Sequence, residues 1–305
     1  IISNPKSGLN KRNPNEMKKL GYILGSNGEA CETNSIDDIY KVAENFKKNN
    51  VDVLCINGGD GTNHVTLSVF IQVYKETPLP KVAILRGGTM NTVAYALNIS
   101  GKPKDILVNI IQKYYAKEPF LITQRNLLRV DDDKYGFIFG NGIVYNFLNA
   151  YYKSTNPSPV IAAKTLAKSI FKGFFIKDDP LFKKLTLEIE DEYNNKWKNT
   201  RFMTIIASTI DHIGLGFNPT VKTYDSVNAF HTIGITSGPV GIISSLPKIW
   251  FNFGVSPSVM EEKVAKKIKI TSLTEPFGYT IDGDMHSPRK ELTVELGPKV
   301  NFIVK

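Results

Sequence analysis

Ile56-Asn57-Gly58-Gly59-Asp60-Gly61-Thr62 is the stretch that decides the fold. The apolar run Val51 to Ile56 reads as a buried strand, and it stops at three glycines set around one carboxylate. Val65, Val69 and Val73 follow at four-residue spacing, which predicts a helix at once. Strand, glycine turn and helix together present backbone N–H groups to an anion such as phosphate. Glycine lets the backbone come close to that anion with no side chain between. Asp60 then needs a reason, because a carboxylate in a phosphate cradle repels its ligand unless a cation separates them. The expected cation is Mg²⁺, bridging Asp60 to the phosphates of a nucleotide.

Working outward, residues 1 to about 122 alternate strand and helix signals. Ile1–Ser3 is a short strand followed by the Asn4-Pro5-Lys6-Ser7-Gly8 turn. Ser35 is placed as the N-cap of a helix running to about Asn49, with Asp37 and Asp38 in its first turn. Val82–Leu85 is a further strand, and Met90–Leu97 and Lys104–Lys117 are further helices. Alternation of this kind predicts a parallel sheet with helices on both faces. From about Gln124 the rhythm changes to strand pairs. Leu127–Val130, Tyr135–Phe139, Leu185–Ile189, Phe202–Ala207, Ile233–Ile235, Ile268–Thr271, Leu292–Glu295 and Asn301–Val304 predict a second, mostly-β domain. Within it Lys164, Lys168 and Lys172 form one stripe along a helical segment, Val160–Phe175, whose other side is apolar. A surface helix is the expected reading, with a membrane-interface element as the alternative.

The chain has 305 residues, 42% apolar and 22% charged, enough for two domains with real cores in a soluble protein. No stretch approaches eighteen consecutive apolar residues, so no spanning helix is expected. The start, Ile1-Ile2-Ser3-Asn4-Pro5, lacks the pattern of a signal peptide and a first Met, so a residue or more is expected to be missing. Cys31 and Cys55 are too few for a disulfide framework and read as small core residues of a cytoplasmic protein. The net charge of +9 comes from dispersed lysines with no basic block and no nucleic-acid motif. An anionic membrane surface or a phosphate-bearing ligand is expected as partner, rather than nucleic acid.

Three more segments belong with the glycine turn. Asn4-Pro5-Lys6-Ser7-Gly8 follows the first strand and so lies on the ligand-binding edge of a parallel sheet. Gly87-Gly88-Thr89-Met90-Asn91 follows the Val82–Leu85 strand and opens a helix, and Asp282-Gly283-Asp284 sets two carboxylates around a glycine. Neither a Walker A sequence nor the protein-kinase motif set occurs.

In these segments and their order the chain resembles the diacylglycerol kinase catalytic-domain lipid kinases, which include bacterial diacylglycerol kinases and sphingosine kinases. Asn4-Pro5-Lys6-Ser7-Gly8 is similar to the first motif, Gly58-Gly59-Asp60-Gly61-Thr62 matches the second, and Gly88-Thr89-Met90-Asn91 is similar to the third. Asp282-Gly283-Asp284 is similar to the late Asp-Gly-Glu, with a weaker match at Gly216-Phe217-Asn218-Pro219 and Asp225. The resemblance implies a nucleotide-binding α/β domain of the NAD kinase and phosphofructokinase type, residues 1–122 with a returning strand at about 291–305. It also implies a β-sandwich-like lipid-substrate domain, residues 123–290. The implied reaction moves the γ-phosphoryl group of ATP to a lipid hydroxyl with Mg²⁺. Asn4, Pro5, Lys6, Ser7, Gly8, Thr33, Gly58, Gly59, Asp60, Gly61, Thr62, Gly88, Thr89 and Asn91 would hold the nucleotide. Asp284 would act as base and Asp60 as metal ligand, with Asp282 nearby. Some bacterial relatives are dimers, which leaves a homodimer open, and a place at the cytoplasmic membrane surface is implied.

Departures from the pattern are visible. Asp284 stands for the usual Glu, His64 and Val65 for Asn and Glu, Thr92 for Asp, and Arg86 for Pro. His64 reads as an acid–base group or as a packing residue, with packing expected. Two competing functions follow: a kinase acting on NAD, which shares the glycine turn, and a non-catalytic nucleotide- or lipid-binding relative.

Overall fold

The computed structural model describes residues 1–131, 133–153, 164–165, 168, 179–214, 217–223, 228–250 and 256–304. Apart from 164, 165 and 168, the lysine-striped segment 160–175 lies outside the described residues.

In chain order the elements begin β1 (Ile2–Ser3), α1 (Gly8–Arg12), α2 (Pro14–Leu24), β2 (Cys31–Glu32), α3 (Ile36–Lys48), β3 (Val53–Asn57) and α4 (Asp60–Tyr74). They continue β4 (Lys81–Ile84), α5 (Thr92–Ala96), α6 (Pro103–Tyr115), β5 (Leu121–Val130), β6 (Lys134–Gly136), β7 (Ile138–Asn141) and α7 (Ile143–Tyr152). The remainder is β8 (Leu185–Asp191), β9 (Arg201–Phe202), β10 (Thr204–Ser208), β11 (Phe230–Ile235), α8 (Pro239–Trp250), β12 (Met260–Ala265), β13 (Lys267–Ser272), β14 (Phe277–Ile281), β15 (Asp284–Arg289) and β16 (Glu291–Val304). The chain divides into two compact units, one of residues 1–125, 133–135 and 298–305, the other of 126–132 and 136–297.

The first unit is built on parallel strands in the order β2-β1-β3-β4 with the end of β16, where Phe302 pairs Val82. Leu54, Cys55 and Ile56 are all buried, because alternate side chains of a parallel strand face helices on both sides. One face carries Ile1, Cys55, Ala83 and Ile303, which pack with Leu20 of α2 and Leu107 and Ile110 of α6. The start of α3 is fixed as expected: Ser35 and Asp38 form a capping box, with Asp38 N 3.2 Å from Ser35 Oγ and Ser35 N 3.0 Å from Asp38 Oδ2. Cys55 is a core residue. Cys31 is only half-buried, beside Glu29 Oε1 at 3.2 Å, and burial with that hydrogen bond pushes its thiol up to about 11.

In the second unit β12-β11-β10-β7-β14-β15 form one antiparallel sheet, while β8 and the first half of β16 flank β13 in another. Phe139, Ile205, Phe230, Tyr279 and Ile281 of the first sheet share one core with Leu187, Ile189, Ile268, Ile270, Leu292 and Val294 of the second. The arrangement is a β-sandwich.

The second unit departs from its reading in two places. It carries α7 and α8, which the sequence did not separate from strands. Ile143-Val144-Tyr145 is β-branched and aromatic, and α8 holds a glycine and Pro247 in its interior. The two expected C-terminal strands are one, β16, because Gly297-Pro298 reads as a break. The observed strand passes through that pair, from the β13 pairing ending at Glu295 to the β4 pairing at Phe302.

Candidate functional site

Three loops leave the C-terminal ends of β1, β3 and β4, and a parallel sheet brings such loops to one edge. Thr62 joins the first two. Asn4 Nδ2 donates to Thr62 Oγ1 at 2.9 Å, and Ser7 Oγ lies 3.1 Å from the same atom. Gly59 N donates to Ser7 Oγ at 3.3 Å and Asn4 N to Asn57 O at 3.1 Å. Within the first loop Lys6 N donates to Asn4 Oδ1 at 2.9 Å, closing the turn around Pro5. Lys6 Nζ reaches Asn34 O at 3.1 Å, which ties that turn to buried Thr33, whose N–H bonds Ser3 O.

The third loop meets the glycine turn backbone to backbone and the first loop through the Thr89 side chain. A Cβ on Gly88 would stand 2.3 Å from Gly59 Cα, and one on Gly8 would stand 1.9 Å from Thr89 Oγ1. Only glycine fits at these two positions. Asn91 has φ 51°, the left-handed region that asparagine tolerates, and its side chain turns back to bond Gly88 N at 3.2 Å and Gly88 O at 3.1 Å. Arg86 also has a positive φ, 60°, and donates to Gly101 O at 3.0 Å. Proline, with φ near −65°, does not fit that backbone, so the departure at Arg86 is a change of loop geometry as well as of charge.

Asp60 is the first residue of α4. Its Oδ2 accepts from Thr92 N at 2.9 Å and its Oδ1 from Val93 N at 3.0 Å. Burial pushes its carboxyl upward, and the Val93 and Thr92 amides with the Thr92 hydroxyl act against that. Both oxygens are thus engaged within the protein. No group of three or more His, Cys, Asp or Glu side chains that could hold a metal occurs among the described residues.

The late acidic pair belongs to the second unit. Asp282 and Gly283, with φ 48° and 88°, form the two-residue turn between β14 and β15, where Ile281 pairs Asp284. Two left-handed central residues are what a type I′ hairpin requires. Asp282 is buried, and its Oδ1 accepts from Phe137 N at 2.9 Å and Ile138 N at 2.8 Å. Tyr152 donates to Gly283 O at 3.1 Å, and Asp284 is partly exposed at the start of β15.

The histidines are structural in their contacts. His64 is buried with Nδ1 2.7 Å from Tyr135 O, and His212 Nδ1 lies 2.7 Å from Asn218 Oδ1. His231 pairs with Glu262 at 2.9 Å, and His286 stacks on Tyr279. Of the weaker motif match, Gly216 and Asp225 lie outside the described residues.

Two supports of the site were not singled out from sequence. Asn10 is buried and donates to Asn4 O at 2.8 Å and Asn57 O at 3.0 Å, holding the first loop on the end of β3. Asn57 in turn donates to Ser3 Oγ at 3.2 Å. No local pattern marks Asn10, the third residue of the five-residue α1. Thr92 was marked only as a departure, and its amide turns out to be a partner of Asp60.

Residues 1–117 match the family model for the diacylglycerol kinase catalytic domain. Over that stretch the chain is similar to a diacylglycerol kinase catalytic domain. The whole chain resembles a solved structure assigned as a diacylglycerol kinase from Bacillus anthracis str. Sterne, at 17% identity and TM-score 0.71, covering 100% of this chain and 96% of that one. Another diacylglycerol kinase structure from the same organism matches at 16% identity and TM-score 0.65, covering 100% and 95%. Yeast NADH kinase complexed with NADH matches at 13% identity and TM-score 0.53, covering 100% and 82%. At these identities the likeness is one of fold. No curated protein sequence matches the chain. The three loops of the first unit, at residues 4–8, 58–62 and 87–91, all lie inside the matched stretch.

Proposed function

We propose that this kinase transfers the γ-phosphoryl group of ATP to the hydroxyl of a lipid. The observation that supports it best is the joining of three loops through Thr62 and the Gly59–Gly88 contact, at the strand edge where α/β sheets take phosphate ligands. Asn4, Ser7, Thr62 and Thr89 supply neutral polar groups there, Asn91 shapes the third loop, and Lys6 is a nearby cation.

In the proposed step the lipid oxygen forms a bond to the γ-phosphorus as the bond from that phosphorus to the ADP oxygen breaks. The hydroxyl proton passes to the Asp284 carboxylate, the base of this reading. Positioning and charge neutralisation carry most of such a reaction, so the loops' main task is to hold the phosphates in line. Magnesium, when bound with the nucleotide, would neutralise the charge of its phosphates.

The acceptor is read as an apolar molecule with a primary hydroxyl, of the diacylglycerol or sphingoid class, met at the cytoplasmic face of a membrane. Net charge of +9 favours an anionic surface. Tyr22 of α2 and Tyr115 of α6 are exposed, with Lys18 and Lys104 on the same helices. No helix among the described residues is long and apolar enough to cross a membrane.

The test is ATP consumption with dispersed diacylglycerol, sphingosine or NAD as acceptor. Turnover with a lipid supports the proposal, turnover with NAD alone replaces it, and ATP binding without transfer makes the chain a non-catalytic relative.

A further inference from the structure

We infer that Asp60 is a capping and positioning residue that fastens the third loop to the glycine turn, and is not a metal ligand. The need for it comes from α5. This helix starts at Thr92, and its first amides require acceptors that the helix cannot supply. Asn91, which precedes it, would ordinarily provide one, but its side chain is spent on Gly88 and gives α5 no cap. Val93 and Ala94 are fully buried, so water does not serve either.

Asp60 meets the need from 32 residues away. Its two oxygens take the Thr92 and Val93 amides at 2.9 and 3.0 Å. One carboxylate thereby locks the first turn of α4 to the first turn of α5. Gly59 and Gly88, in the loops that precede these helices, touch backbone to backbone. Such contact tolerates no drift, and the carboxylate removes the drift.

This also answers why an acid stands in a glycine turn. Its negative charge is met by two backbone amides, so no cation is required. Residue 92 matters to that balance. An acid at 92 would set a second carboxylate against Asp60, and the pair would then need a cation between them. Threonine instead brings no second charge.

The clamp is independent of the reaction, although its consequence for nucleotide binding rests on the kinase reading. The test uses the full chain, free of nucleotide and metal, as wild type, Asp60→Asn and Thr92→Asp. Amide hydrogen exchange at Thr92 and Val93 should be protected in the wild type and at least about tenfold faster in Asp60→Asn. The melting temperature of Asp60→Asn should fall by roughly 3–8 °C. Thr92→Asp should melt lower without metal and regain stability on adding Mg²⁺, whereas wild type should not respond. If Asp60→Asn does not fold, the wild-type exchange and the Thr92→Asp response still decide. Unprotected amides in the wild type, an unchanged melting temperature in Asp60→Asn, or a wild-type Mg²⁺ response as large as that of Thr92→Asp would each overturn the inference. Failure of the kinase reading would show separately, as absent phosphoryl transfer with these measurements as expected.

Discussion

The Asp282 carboxylate sits 2.9 Å from the backbone nitrogen of Phe137, with Ile138 N bonded to the same oxygen. A buried acid whose lone pairs are taken by amides is a fastener of the chain, and here it fastens the hairpin that carries Asp284. Asp282 therefore acts through its neighbour. Asparagine tolerates the left-handed turn but loses the charge and part of the bonding. Asp282→Asn should cost about 1–3 kcal/mol of stability, read from chemical denaturation. Nucleotide affinity should not move.

Asp284 is expected to behave differently. Asp284→Asn should lower kcat by about 10²–10⁴, the range general-base catalysis contributes, with ATP affinity and melting temperature unchanged. Asp284→Glu should keep measurable activity, since the carboxylate is retained with one more methylene. Steady-state kinetics checks both, and full turnover in Asp284→Asn would remove it as base.

Gly88→Ala puts a methyl 2.3 Å from Gly59 Cα and 2.9 Å from Asn91 Oδ1. The loops must separate, so stability should fall by about 1–3 kcal/mol and ATP affinity should fall with it. Calorimetry of ATP binding beside a thermal melt checks the pair of effects.

His231 and Glu262 make the second unit acid-sensitive. Burial lowers the His231 pKa below its ordinary value, against the pull of Glu262. Glu262, although burial pushes it up, is held below its ordinary value by Lys222 and His231. For both groups the unfolded chain binds protons more readily, so stability rises with pH. The histidine part is complete above the ordinary value of 6.5 and fades as pH falls below it. The glutamate part is complete above 4.5 and fades below it. Melting temperature should fall from neutral pH to pH 5 (about the lower edge of the histidine range), and His231→Gln should flatten that slope.

Much of this was legible in the chain. The α/β rhythm of the first domain shows because buried strands end at glycine turns and its helices carry start signals such as Ser35 and Asp38. The three loops show because glycine is required where backbones touch. What holds them together was hidden, since Asp60 bonds Thr92 and Val93 across a span that no local pattern reports. Asp282 and Asp284 read as an acid pair, although Asp-Gly between apolar runs is also a hairpin signal. In the second unit α7 was missed because β-branched and aromatic residues favour strands locally, and only tertiary packing decides for the helix.

The central claim is phosphoryl transfer to a lipid, and product identity tests it most directly. The full-length protein would be incubated with γ-labelled ATP and mixed membrane lipids, and the organic extract resolved by chromatography. The expected result is label in one lipid product, absent in Asp284→Asn. Label confined to inorganic phosphate, with none in the lipid phase, would contradict the account.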